Sequence, residues 1–238
     1  MHPIWVIAKR ELNSYFDSLI AYIVIIAFLG FSGFFTWLYG ADVFIRKQAD
    51  LAVFFNVARW TLFFFIPAIT MRQLAEERKT GTIELLLTKA VSNRQVVWGK
   101  FLSCFLMVGI ALLFTLPYYI TITQLGDADH GAIISGYFGL LLMSAAYISI
   151  GLFASSITNN QIVAFLLALF IGIFFHLLFD VMASGATGFW GELFTTLSLS
   201  RHYDSITRGV IDSKDLIYFV SIVVMGLSLS EFSLTKRF

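Results

Sequence analysis

Residues 72–100 read Arg72-Gln-Leu-Ala-Glu-Glu-Arg-Lys-Thr-Gly-Thr-Ile-Glu-Leu-Leu-Leu-Thr-Lys-Ala-Val-Ser-Asn-Arg-Gln-Val-Val-Trp-Gly-Lys100. This is the most charged segment of the chain, carrying Arg72, Glu76, Glu77, Arg78, Lys79, Glu84, Lys89, Arg94 and Lys100. An apolar run stands on each side of it. A charged, amphipathic segment between two membrane spans is a surface for a soluble partner. The segment therefore reads as the place where another chain acts on this one.

The flanking runs are typical of the whole. The chain is 58% hydrophobic and 13% charged, with 26 Phe, whereas soluble domains carry roughly 25% charged residues. That shortfall places it among membrane proteins. A helix crosses a bilayer with about 20 apolar residues, so 238 residues hold several spans and little else. The net charge of +1 leaves no nucleic-acid footprint. Cys104 is the single cysteine, which excludes an intrachain disulfide, and its apolar surroundings read as a buried, inert thiol. Residues 1–18 hold Lys9, Arg10, Glu11 and Asp17, with no uninterrupted apolar region and no small-residue cleavage site. The first span is the expected insertion signal.

Working outward, the spacing predicts an all-α, polytopic protein of six transmembrane helices, near residues 19–41, 51–71, 101–124, 132–156, 162–182 and 215–234. Residues 1–238 read as one membrane domain. Ahead of the first span, Ile4, Trp5, Ala8, Leu12, Tyr15, Phe16 and Leu19 recur at helical spacing. That pattern suits a helix lying in the interface plane, the alternative being a frayed N-terminus. Arg59 falls about 8 residues, or roughly 12 Å, into the second span, where it either snorkels outward or faces a protein interior. Pro67 is expected to kink that span near its inner end. Residues 189–211 hold Trp190, Leu193, Phe194, Leu197, Tyr203, Ile206 and Val210, spaced for one or two short helices that dip into the interface or cap a route.

Lysine and arginine set the orientation. One side holds Lys9, Arg10, Arg72, Arg78, Lys79, Lys89, Arg94, Lys100, Lys236 and Arg237. The other holds Arg46, Lys47, Arg201, Arg208 and Lys214, offset by acids. Six spans put both termini on one side, expected to be cytoplasmic, with the charged segment beside them.

Chemistry is sparse. A phosphate-cradling loop needs G-x-x-x-x-G-K-[ST]. The Gly99-Lys100 pair is followed by Phe101, and Arg94 stands where the first glycine belongs. If ATP drives this protein, another chain binds it. The four histidines, His2, His130, His176 and His202, are scattered, so no metal or cofactor site is expected. His176 and Asp180 stand i, i+4 on the fifth span and are expected to share a face, either along a pathway or near the outer interface. An intramembrane serine–histidine dyad of Ser135 and His176 is the enzymatic alternative. Against it, Ser135 lies near the start of its span, and Gly136, Gly139, Ser144, Ala145, Ala146 and Gly151 permit close helix packing.

Pro67-Ala-Ile-Thr-Met-Arg72, Glu76-Glu-Arg-Lys-Thr-Gly-Thr-Ile-Glu-Leu-Leu-Leu-Thr88, Val91-Ser92 and Gly99-Lys100 together resemble the region between the second and third spans of ABC-2 type transporter permeases. His202-Tyr-Asp-Ser-Ile-Thr-Arg-Gly-Val-Ile-Asp212 resembles the pattern before their last span. Within that family the likeness is to the permease subunits linked to bacterial gliding motility (Gld). It covers nearly the whole chain, although Ala90 replaces a proline that many relatives carry. The resemblance implies a permease of the bacterial inner membrane paired with a second permease chain, the same or different. Separate ABC ATPase subunits would hold the ATP and Mg²⁺, and transport is the implied activity, with a non-transporting scaffold as the alternative. It also implies a cytoplasmic coupling helix between spans two and three that sits in a groove of the ATPase, with Glu77, Arg78, Gly81, Thr82, Glu84 and Leu85 as the contacts. Independently of the family, Gly81 suits a helix break, Thr82 a cap, Glu84 a helix N-terminus, and Leu85 an apolar knob.

Overall fold

The computed structural model describes residues 3–39, 48–81 and 91–236. Every regular element among them is helical, and no strand occurs among them. In chain order they are α1 (Pro3–Asp17), α2 (Leu19–Trp37), α3 (Ala52–Thr70), α4 (Arg72–Lys79), α5 (Asn93–Leu113), α6 (Leu116–Leu125), α7 (His130–Ile157), α8 (Gln161–Ile173), a π turn (Phe174–Leu178), α9 (Phe179–Gly185), α10 (Phe189–Leu197), α11 (Leu199–Ile206) and α12 (Ser213–Thr235). Six stretches among the described residues are long and apolar enough to cross a membrane: Leu19–Trp37, Ala52–Lys79, Asn93–Leu125, His130–Ile157, Gln161–Gly185 and Ser213–Thr235. Their outward faces carry Leu19, Ile23 and Ile26 on α2, Ile162, Leu166 and Phe170 on α8, and Ile217, Val220 and Val224 on α12, all exposed. Contiguous apolar surface of this extent suits a lipid surround rather than water.

The helix α7 is the axis of the bundle. It packs against α3, α4, α5, α8, α11 and α12, and its span is the most enclosed of the six. Small residues make that possible. A Cβ on Gly151 would collide with the Thr70 side chain, and one on Gly136 would stand 2.5 Å from the Phe55 ring. Close approach of this kind is how helices associate where lipid supplies no hydrophobic drive.

Two boundaries differ from the sequence-based expectation. The third span begins at Asn93, not near residue 101. Ser92 Oγ accepts from Gln95 N at 3.3 Å while Gln95 Oε1 accepts from Ser92 N at 3.1 Å, a reciprocal capping box. Arg94 and Lys100 therefore ride on a helix. That span also breaks at Phe114–Thr115 before α6, with Pro117 in the first turn of the new helix. The second span continues past residue 71 through α4 to Lys79, and its interruption lies at Met71 rather than at Pro67. There Ser155 Oγ of α7 donates to Met71 O at 2.9 Å and accepts from Leu74 N and Ala75 N at 3.0 Å each. A side chain spliced into the backbone ladder is a sufficient cause for the joint.

On α1, Ile7, Ala8 and Tyr15 are buried against the bundle, whereas Trp5 is exposed. The reason is a notch on α5: Ile7 packs so close to Gly99 that a Cβ there would lie 2.7 Å from it. At the opposite end of the bundle, the segment before the last span forms the two short helices α10 and α11.

Candidate functional site

The end of the bundle that carries α1 and the close of α12 holds a knot of polar groups around α4. Lys100, 1% exposed, reaches from α5 to Glu77 Oε1 at 2.8 Å and to Glu11 Oε1 of α1 at 3.5 Å. Arg10 closes the group, 2.7 Å from Glu11 Oε1 and 3.8 Å from Glu77 Oε1. Burial works to raise the Glu11 carboxyl, but the Lys100 ammonium and the Arg10 guanidinium outweigh it and hold the group below the usual carboxylate range. Two carboxylates and two cations form a near-neutral cluster, the condition under which charges tolerate burial.

Further ties reach the same short helix. Arg78 Nη2 donates to Ser233 O of α12 at 3.3 Å. Beside it, Asn93 at the head of α5 donates to Thr235 Oγ1 of α12 at 3.1 Å. Gln73 Nε2 donates to the buried Tyr15 hydroxyl at 2.5 Å, and that hydroxyl donates to Ile69 O at 2.9 Å. With Ser155 at the joint, α4 is linked to α1, α5, α7 and α12. Gly81 follows Lys79 with φ of 70° and its N–H on Arg78 O at 3.2 Å. A left-handed residue just past a helix is a stop signal that glycine meets without strain. Of the six residues assigned to partner contact, Glu77, Arg78 and Gly81 fall here, while Thr82, Glu84 and Leu85 lie outside the described residues. Glu77 turns inward to Lys100.

Residues 200–204 organise the far end. Ser200 Oγ donates to His176 O at 2.7 Å. Arg201 Nε pairs with Asp180 at 2.5 Å, His202 meets Asp215 at 2.6 Å, Tyr203 OH reaches Phe55 O at 3.5 Å, and Asp204 pairs with Arg59 at 2.8 Å. Arg59 thus faces protein, with the Tyr203 ring 5.6 Å from its guanidinium. A cavity of about 220 Å³ opens beside it, walled by Phe55, Ile133, Tyr203 and Thr207.

The model of the family described as ABC-2 family transporter protein matches residues 5–229. The chain belongs to the ABC-2 transporter family. "Probable multidrug ABC transporter permease YbhR" of Escherichia coli (strain K12) is 24% identical over 148 residues, covering 60% of this chain and 38% of that protein. The protein of the same name from Escherichia coli O157:H7 matches over the same shares. The match thus spans little more than a third of these relatives' length.

In this ABC-2 chain His176 and Asp180 part company. The π turn puts Phe179 N on Phe174 O and leaves His176 O for Ser200. The buried His176 ring meets Tyr147 OH at 2.7 Å and lies between Trp60 and Phe63, while Asp180 turns to Arg201. Ser135 donates to Ala132 O instead and stands 12 residues, roughly 18 Å, up α7 from Tyr147. The serine–histidine dyad is therefore not assembled. The sequence reading of the ABC-2 chain missed Glu11 and Lys100 as an internal pair, Ser155 as a joint, and the Asp215 partner of His202. The Ser92-x-x-Gln95 signature was the legible clue that Lys100 is helical.

Proposed function

We propose that the chain is a permease subunit of an ATP-driven exporter in a bacterial inner membrane, residues 1–238 acting as one membrane domain. Both termini would face the cytoplasm. Lys9, Arg10, Arg72, Arg78, Lys79, Arg94 and Lys236 cluster at that end, in keeping with positive charge inside. A separate ABC ATPase holds the ATP and Mg²⁺, and this chain holds no cofactor. A second permease chain completes the unit, since six spans are half of the usual membrane complement, and lipid surrounds the pair.

The single observation that carries the reading is the wiring of α4. A short helix at the end of the second span that is bound to α1, α5, α7 and α12 passes a push to most of the bundle. Within it, Glu77 and Arg78 relay force inward, and Gly81, Thr82, Glu84 and Leu85 meet the ATPase. Arg59 lines the transport route beside its cavity. His176 and Asp180 hold the far end in shape.

The Glu77-Arg-x-x-Gly81-Thr-x-Glu84-Leu-Leu pattern and the His202–Asp212 stretch support the ABC-2 family at large, and the link to gliding motility rests on the overall resemblance alone. The relatives named for multidrug transport support export in general. The test is co-expression with the neighbouring ATPase and purification through a tag on this chain. Wild type retains ATPase, and a Gly81/Thr82/Glu84 triple variant loses it. Absence of ATPase from well-folded wild type removes the proposal. Deleting the gene from a gliding bacterium should abolish spreading; raised drug susceptibility with normal spreading would favour the multidrug class. A scaffold would bind the ATPase yet show no nucleotide-dependent change in its spans.

A further inference from the structure

We propose that the hairpin of α9 and α10 is a lipid-binding anchor that seats Phe189 and Trp190 in the headgroup boundary of the leaflet at the far end of the bundle. The inference stands apart from the ATPase reading. It needs neither a substrate nor a choice of which face of the membrane that end meets.

Small residues make the hairpin. α9 closes the fifth span, and only Ala186-Thr-Gly188 separate it from α10. Gly188 takes a φ of 67°, which glycine adopts without strain. Gly191 lies so close to Ala186 O that a Cβ would stand 2.6 Å from it. α10 therefore turns back along α9, and Phe194 stacks on Phe179 with ring centroids 6.3 Å apart at 15°. Around that pair the rings form one ladder. Phe175 meets Phe179 at 5.5 Å, Trp190 meets Phe194 at 6.1 Å, and Phe189 meets Trp190 at 5.8 Å. The ladder runs from a span with Phe170, Phe174 and Val181 exposed to a tip where Phe189 is 72% and Trp190 60% exposed. The tip is thus continuous with the lipid-facing surface of the fifth span.

Its level decides what covers it. The polar turn at residues 158–161 marks the near edge of that span. Phe179 lies 18 residues beyond Gln161, about 27 Å at helical rise, and the hydrocarbon layer is about 30 Å thick. Phe194 shares that level. Phe189, five residues away toward the tip, stands about 7 Å further out, among headgroups. Charges occupy the same zone. Asp180 and Arg201 pair there with side chains 41% and 47% exposed, and Glu192 is exposed on α10. Hydrocarbon would strip water from these charges, and bulk water would meet two large bare rings. The boundary serves both, and it is where the amphipathic ring of tryptophan partitions. The other end of α10 joins the last span, whose Tyr218 hydroxyl donates to Leu197 O at 2.6 Å. Lipid held at the tip is therefore coupled to the fifth span through Phe194 and to the sixth through Leu197.

The test reads Trp190 in the full chain, reconstituted into vesicles of phosphatidylethanolamine and phosphatidylglycerol. Emission of wild type minus that of Trp190→Phe at equal concentration isolates this one tryptophan, and equal thermal midpoints show that the variant keeps the fold. Phosphatidylcholine doped into the vesicles carries quenching bromines either near the headgroup or near the chain ends. Iodide on both sides of the membrane reports contact with water. The expected result is a large loss of the Trp190 signal to shallow bromines, a smaller loss to deep ones and little loss to iodide. Loss to iodide without loss to bromine places the tip in water. No loss to either places it against protein, such as a second copy of the chain. A greater loss to deep bromines places it in hydrocarbon. Each of these three results overturns the proposal. If Trp190→Phe does not fold, the combined variant Trp5→Phe, Trp37→Phe, Trp60→Phe, Trp98→Phe leaves Trp190 as the single emitter and decides it in the same way.

Discussion

Replacing Lys100 with methionine removes the charge that two buried carboxylates share while roughly keeping the side-chain volume. Lys100 is 1% exposed, and the Glu11 and Glu77 side chains are each 16% exposed. Removing one partner of a buried ion pair costs about 3–5 kcal/mol. Both carboxylates keep some access to water, and Arg10 remains 2.7 Å from Glu11, so the low end applies, about 3 kcal/mol. For a chain of this size each kcal/mol moves the midpoint by about 2–4 °C, giving a fall of about 6–12 °C. Tryptophan fluorescence during thermal unfolding in micelles reads it directly. The triple variant Lys100→Met, Glu11→Gln, Glu77→Gln carries no stranded charge and recovers most of the loss. In complex with this variant the ATPase should nevertheless turn over with transport weakened, because the charged tie from α4 to α1 and α5 is gone and only Gln73 still holds Tyr15 of α1. A single variant as stable as wild type, or a triple variant no better than the single, would refute the reasoning.

Other perturbations follow from the same contacts. Ser155→Ala strands Leu74 N–H and Ala75 N–H at a cost of about 1–3 kcal/mol, seen as faster hydrogen exchange confined to residues 71–75. Gly151→Leu drives a side chain into Thr70 of α3 and destabilises the bundle by about 1–3 kcal/mol or more; Thr70→Ala restores part of it in the same thermal assay. The lowered Glu11 pKa gives an acid-side effect. A depressed carboxyl stabilises the fold above its unfolded pKa and loses that contribution as pH falls through its folded one. The Glu11 contribution to the docking of α1 is therefore constant near neutrality and weakens below the ordinary carboxylate range, which exchange at Ile7 and Ala8 would show.

The spans were legible because long apolar runs with very few charges have few other folds available. Ends set by capping were harder. Arg94 and Lys100 made residues 93–100 look like loop, although Ser92 and Gln95 mark a helix start. The burial of Lys100 depends on Glu11 and Glu77, which are distant in sequence, so local pattern offered no sign of it. The π turn at Phe174–Leu178 adds one residue to a turn and leaves no periodic signature; it rests on Ser200, supplied by another helix. Helical spacing gave α1 an apolar face but no sign that Ile7 would be the residue set against the notch at Gly99.

The most direct test of ATP-driven motion in the spans is a distance measured at the far end. Spin labels on Asp127 and Phe189, both exposed, in a Cys104→Ala background, report on α6 and α10 by pulsed electron resonance in the complex with its ATPase. The account predicts that trapping ATP and Mg²⁺ on the partner shifts the distance distribution, and that omitting the ATPase abolishes the shift. An unchanged distribution while the bound ATPase turns over would contradict it.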